Sequence, residues 1–167
     1  PSLVALVEKG DTAKRMTGLS LRNVELRLFE GGKVVFCEQG EMLFTHFGVS
    51  GPLVLSASAY VGDLGKHTYE ISIDLKPALS EEKLDARLLR DFEEAASRTV
   101  AHSLDKLLPQ SMRPVMLERW GVDPDLRVNQ VTRAQRQVLL ALLKDFRLPI
   151  AGRGDLKHAV ITAGGVD

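Results

Sequence analysis

With 167 residues, 44% of them hydrophobic and 26% charged, the chain is long enough for one ordinary domain or two small subdomains and can bury a core of its own. Lysine plus arginine and aspartate plus glutamate number 22 each, so no bulk charge draws the protein to nucleic acid or to a membrane, although a local basic patch is compatible with that balance. The one cysteine, Cys37, excludes an intramolecular disulfide and a cysteine metal cluster; it lies in the apolar run Val34–Cys37, where a buried thiol is expected in a protein of a reducing compartment.

No apolar run approaches the roughly 20 residues that span a bilayer. Pro1–Val7 lacks the basic n-region of a signal peptide. Pro1 stands where an initiator methionine would, and the chain stops just past Gly164–Gly165, so both ends read as cuts through continuing structure. The expectation is a piece of a larger enzyme without a complete active site of its own.

The first half reads as strands. Asn23–Leu28 alternates polar and apolar residues, the period of a half-buried strand. Gly31–Gly32 supplies a tight hairpin and Val34–Cys37 the return strand. Gly40–Thr45 reads as a further short strand, Pro52–Ser58 as either a strand or a helical turn, and Tyr69–Leu75 as a cleanly alternating strand. Several short strands at close spacing predict a small barrel or sandwich.

The character changes at Lys76–Pro77. Ser80 reads as an N-cap followed by Glu81 and Glu82, and Leu84, Leu88, Phe92 and Ala95 line one helix face. A shorter helix is predicted from Thr99 to Leu108, and another from Met112 to Trp120 with Gly121 as its C-terminal cap. Thr132–Gln135 fits a capping box ahead of a stripe formed by Val138, Leu139, Leu142, Leu143 and Phe146. Leu148–Ile150 and Ala159–Thr162 return to strand about a polar turn, Gly152–Asp155. The order strands, helices, strands predicts an α+β fold: a β-barrel subdomain over 1–78, a helical subdomain of three to four short helices over 79–146, and return strands of the barrel over 147–167.

Chemistry is sparse. Gly152–Lys157 begins like a dinucleotide loop but ends in lysine and follows no first strand, so a glycine-permitted turn is the better reading. His46, His67, His102 and His158 are isolated, with no metal-ligand spacing, and Ser50 lacks the context of a nucleophile elbow. Arg113, Arg119, Arg127, Arg133, Arg136, Lys144, Arg147, Arg153 and Lys157 scatter over the helical part and its exit, reading as a solvated face or as a basic surface for phosphates or RNA. The densest segment is Gly40–Pro52. Four small or rigid positions (Gly40, Gly48, Gly51, Pro52) surround the polar trio Thr45, His46 and Ser50, either as a tight turn or as a place where His46 holds a ligand or shuttles a proton.

That segment, Gly40-Glu-Met-Leu-Phe-Thr-His-Phe-Gly-Val-Ser-Gly-Pro52, resembles a signature of the YhiN/BaiN-type flavoproteins, which are NAD(P)/FAD-dependent oxidoreductases. Pro1–Leu6 is similar to that family's PSLVPL stretch, with Ala5 where proline is usual; Ile71–Pro77, Leu107–Pro109, Leu143–Phe146 and Ala159–Val166 agree in the same order. The resemblance implies a small barrel like those of translation factors, carrying a helical subdomain and inserted within an FAD-binding protein whose flavin-binding halves lie upstream and downstream.

The same resemblance implies a cap domain. It would cover the flavin of a cytoplasmic parent enzyme, contact that protein's FAD-binding domain, and bind no FAD or metal by itself. It would be inactive in isolation. Thr45, His46, Ser50 and Gly51 are the residues expected to face substrate or cofactor, with His46 the candidate catalytic group, and Gly164 and Gly165 those of the return crossing beside the flavin. The alternative is a docking module for a macromolecule, RNA first, that presents a nucleobase to the flavin; a purely structural insertion is a third reading.

Overall fold

The computed structural model describes residues 2–154, which divide into two compact units, one running to Leu75 and resuming at Arg147, the other Lys76–Phe146. The first unit is a closed antiparallel barrel in the order β1-β4-β3-β2-β5-β6, formed by β1 (Leu6–Glu8), β2 (Ser20–Glu30), β3 (Lys33–Phe44), β4 (Gly48–Ser50), β5 (Tyr69–Asp74) and β6 (Phe146–Arg153). Alternation along the strands sends Leu26, Leu28, Met42, Phe44, Ile71, Ile73 and Leu148 into its core, each 0% exposed. A barrel leaves no free sheet edge, and two register shifts between β2 and β3 give these long strands the bend that closure requires.

The β2–β3 hairpin turns at Gly31 (φ 55°) and Gly32 (φ 86°), as the paired glycines predict. The return strand corrects the sequence reading, since Val34–Cys37 and Gly40–Phe44 belong to one continuous β3, with Thr45 just beyond its end. Gly40 does not end it. Its missing side chain admits Leu53, whose Cγ lies 3.2 Å from where a Cβ would stand. Cys37 also departs from expectation: it is exposed, because Phe36 takes the inward position and the next residue must point outward, opposite Arg27 of β2. Pro52–Ser58 resolves as helix α1, with Pro52 in the first turn and Gly51 N-terminal to it. The expected polar turn at Gly152–Asp155 is overturned at its first two positions, because Gly152 and Arg153 are strand residues paired with Val7 and Leu6. Ala159–Thr162 lies outside the described residues.

The second unit contains α2 (Glu81–Glu94), α3 (Arg113–Trp120) and α4 (Arg133–Lys144). Ser80 accepts from Lys83 N–H at the start of α2, and Thr132 and Gln135 form the complete capping box of α4. Gly121 ends α3 in the left-handed region (φ 75°). Leu84, Leu88, Met116, Leu139 and Leu143 form the core, and the Phe92 and Trp120 rings stack at 6.1 Å. Val138 is 50% exposed, so the stripe of α4 is narrower than its sequence suggests.

The helix expected from Thr99 to Leu108 is only a 3-10 turn, Val100–His102, followed by further turns. Val100 N–H donates to Leu126 O (2.8 Å) and Ala101 N–H to Pro124 O (3.0 Å), which pins the start of the segment, while the Ser103 hydroxyl bonds back to Val100 O.

Candidate functional site

The segment Gly40–Pro52 runs from the second half of β3 through a turn at 45–47 into β4, and then into α1. The turn is tied at several points. Thr45 N–H donates to Gly48 O (2.8 Å), Gly48 N–H donates to Thr45 Oγ1 (3.1 Å), and Glu8 N–H donates to Phe47 O (2.8 Å). Gly48 is required by packing: a Cβ there would stand 2.1 Å from Leu6 O and 2.7 Å from Glu8 N, so β1 could not approach β4 past any side chain. Gly51 adopts φ 92°, with its absent Cβ 3.0 Å from Met42 Cα, and lets the chain turn from β4 into α1.

Most of this motif therefore builds the backbone. The Thr45 hydroxyl accepts turn N–H groups. Ser50 and Gly51 sit at the far end of β4 from the turn, where Ser50 pairs with Leu43, so the polar trio is not one cluster. What the turn displays is His46, exposed, and Phe47, 56% exposed, their rings edge to face at 6.1 Å. Exposed aromatic groups on an immobilised backbone are available for a partner at little ordering cost. Phe47 has no place in the sequence reading, because in a strand-rich segment it passes for core. Gly164 and Gly165 lie outside the described residues, as do His158 and Lys157.

A concavity lies on the barrel. It is an open groove of about 540 Å³ lined by Lys9, Phe29, Leu64, His67, Tyr69, Glu70 and Pro149, among others. The Tyr69 hydroxyl donates to Glu30 Oε2 (2.6 Å) and accepts from Gly62 N–H (2.8 Å), which locks the ring into the wall. Burial first, and then the bond to Glu30, push its phenol above the usual range. The His67 ring meets Tyr69 edge-on at 6.5 Å. Nothing in the sequence pointed to this groove, because its walls come from segments far apart in the chain.

Most basic residues of the set expected from the sequence are engaged within the fold. Arg113 donates to Leu108 O and Asp105 O (both 2.8 Å), Arg127 to Ser97 O (2.7 Å), Arg136 to Asp85 Oδ1 (2.8 Å), and Lys144 to Lys76 O (3.0 Å) and Leu79 O (2.5 Å). Arg119 lies over the Phe146 ring at 4.0 Å, Arg147 over Phe29 at 4.1 Å, and Arg153 holds Ser58 O and Ser2 O. Of the described members of that set, Arg133 alone has no such partner among the described residues. No cluster of three or more metal-ligating side chains occurs among the described residues, and no helix there is long and apolar enough to cross a membrane.

Residues 1–161 match the family model described as HI0933-like protein barrel and H2TH domain. The chain is 31% identical over 128 residues to the ribosomal RNA dihydrouridine synthase of Escherichia coli (strain K12), which covers 75% of this chain and 30% of that protein. It is 27% identical over 127 residues to the ribosomal RNA dihydrouridine synthase of Haemophilus influenzae (76% and 30%). With the 3-dehydro-bile acid delta(4,6)-reductase of Clostridium scindens it shares 23% identity over 171 residues (99% and 41%). The aligned part is thus 30% to 41% of the length of these relatives. The chain belongs to the HI0933-like barrel and H2TH domain family, the barrel-and-helix part of YhiN/BaiN-type flavoproteins.

Proposed function

We propose that this chain is the insert, or cap, domain of an FAD-dependent oxidoreductase, that it covers the flavin and shapes the substrate pocket of a cytoplasmic parent, and that it has no turnover alone. The observation that carries this reading is the pairing of the first and last described strands. Leu6 lies opposite Arg153, and Gly154 N–H donates to Ala5 O at 2.7 Å, so incoming and outgoing chain meet at one place, as an insertion into another domain requires.

Gly152 and Arg153 are paired in β6 and so form no glycine loop for a pyrophosphate; in this reading FAD is held by other parts of the polypeptide. The flavin supplies the redox step. This chain contributes the rigid turn with His46 and Phe47, which excludes water and places an imidazole able to hold a proton near the substrate. Ser50, Gly51, Gly164 and Gly165 belong to the same reading as pocket-facing positions.

The meeting of Ala5 and Gly154 allows a direct test. In the full-length parent, residues 6–153 are replaced by a short glycine–serine linker, and quenching of the bound flavin's fluorescence by iodide is measured. Removing a cap raises quenching several-fold while FAD stays bound; unchanged quenching with retained FAD overturns the reading. In the same parent, His46→Ala lowers turnover at unchanged flavin content, and unchanged turnover removes His46 from the site.

A second reading, RNA docking, is favoured by the names of the two ribosomal RNA dihydrouridine synthases. In it the domain binds RNA and presents a base to the flavin. It does not draw support from the scattered arginines, which are engaged within the fold.

A further inference from the structure

If the chain docks RNA, its helical arginines are poor candidates for the contact, because using them would break bonds that hold that unit together. The barrel groove is the better candidate. Its volume, about 540 Å³, falls within the range of sites that enclose a small ligand. Its charge is unbalanced. Glu70, the one acidic side chain in the lining, is paired with Arg147 at 2.8 Å, whereas Lys9 is exposed and has no ion pair among the described residues. His67 is exposed beside it as a second nitrogen donor.

The rest of the lining is flat or apolar. Tyr69 is buried behind the surface and held by two hydrogen bonds, and the wall itself is made by Phe29, whose ring carries Arg147 on one face, with Leu64 and the exposed Pro149. A cationic donor, Lys9, beside a flat apolar wall is the combination that single-stranded nucleic acid requires, one part for the phosphate and the other for the base. The backbone of Lys9 is itself fixed, its N–H donating to Pro149 O at 2.8 Å, so the side chain starts from a set point on the groove.

We infer that the groove lined by Lys9, Phe29, His67 and Pro149 is a nucleotide subsite for single-stranded RNA, with Lys9 on a phosphate and the base against the Phe29–Pro149 wall. The inference rests on the RNA-docking reading and adds a location to it. Lys9 and His67 are positioning residues here and take no part in redox chemistry.

The test uses the whole chain with a fluorescein-labelled oligouridylate decamer and anisotropy across a salt series. Lys9→Ala weakens binding about three- to tenfold and lowers the slope of log K against log salt by about one, the loss of one phosphate contact. Lys9→Arg restores affinity, His67→Ala weakens it comparably, and Arg133→Ala leaves it unchanged. Normal decamer binding by Lys9→Ala and His67→Ala overturns the groove inference while leaving RNA docking intact. No decamer binding by the unaltered chain at low salt overturns RNA docking itself, and the subsite with it. Uridine monophosphate binding as tightly as the decamer shows a site for free nucleotides and overturns the strand assignment.

Discussion

The barrel and the helical unit are stabilised in opposite ways. In the barrel the decisive contacts are backbone against backbone across long sequence separations: Leu6 on Val49, Arg153 on Leu6, and a glycine at 48 because no side chain fits between β1 and β4. In the helical unit the decisive contacts are side chain on backbone. Arg113, Arg127 and Lys144 reach carbonyls of irregular turns, and Trp120 Nε1–H donates to Gln135 O at 2.7 Å. The comparison bears on function. A basic residue on a short, irregular helical segment can be a staple before it is a ligand contact, whereas a closed barrel satisfies its own backbone and leaves surface side chains such as His46, Phe47, Lys9 and His67 available.

The contrast can be measured because the chromophores are segregated. Trp120, the one tryptophan, lies in α3 of the helical unit, and both tyrosines, Tyr60 and Tyr69, lie in the barrel. The largest effect is expected from Gly48→Ala. Its methyl group would overlap Leu6 O, so the barrel loses at least about 3 kcal/mol or fails to close. Loss of the tyrosine transition, or a steep drop in its urea midpoint, is the expected signal; a loss below about 1 kcal/mol would mean that β1 moves aside freely.

Arg113→Met, read on Trp120 fluorescence, is next. It removes two charge-assisted bonds to backbone carbonyls and costs the helical unit about 1.5–3 kcal/mol. If the tryptophan midpoint does not move, Arg113 is no staple and the contrast between the two units fails. Gly121→Ala should cost about 1–2 kcal/mol, because a Cβ at φ 75° meets nothing within 4 Å and only the torsion is unfavourable. A cost equal to that of Gly48→Ala would abolish the distinction between a glycine required by packing and one required by torsion.

The smallest effects are alkaline and opposite in sign. Tyr69 has its phenol raised above the usual 10.0 by burial and by its bond to Glu30. Its contribution is fully present below pH 10 and is lost as pH rises through the folded value, so barrel stability falls there. Lys76 has its ammonium lowered from 10.5 by burial and then by the nearby Arg87, so the charged form costs the fold at neutral pH. That cost fades as pH rises toward 10.5, and the stability of the helical unit rises over the same window. Urea midpoints measured from about pH 8 to 11 should lose the fall in Tyr69→Phe and the rise in Lys76→Met. Parallel slopes in all three proteins would show that neither group governs the trend.

Local order was legible in the amino-acid sequence wherever one residue type has one local use. Gly31–Gly32 specified the hairpin, Ser80 and Thr132 the starts of α2 and α4, and Gly121 the end of α3, because caps and tight turns depend on neighbours within a few residues. Alternation and helical spacing were enough for an α+β chain with a helical excursion. The motif Gly40–Pro52 was visible as dense, but its sequence did not separate residues that build the turn from those it displays.

Tertiary structure alone decided the rest, for one physical reason: each outcome depends on a partner distant in the chain. Cys37 points outward because Phe36 claims the barrel core, Gly40 is a gap for Leu53 inside an unbroken strand, and the segment expected as a helix at 99–108 is pinned at its start by Val100 and Ala101 to the carbonyls of Leu126 and Pro124. The arginines that suggested a basic face bind carbonyls, carboxylates and rings whose positions no local pattern reveals. The groove, with Lys9, Phe29, His67 and Pro149 on its walls, exists only once β1, β2, β5 and β6 are brought together.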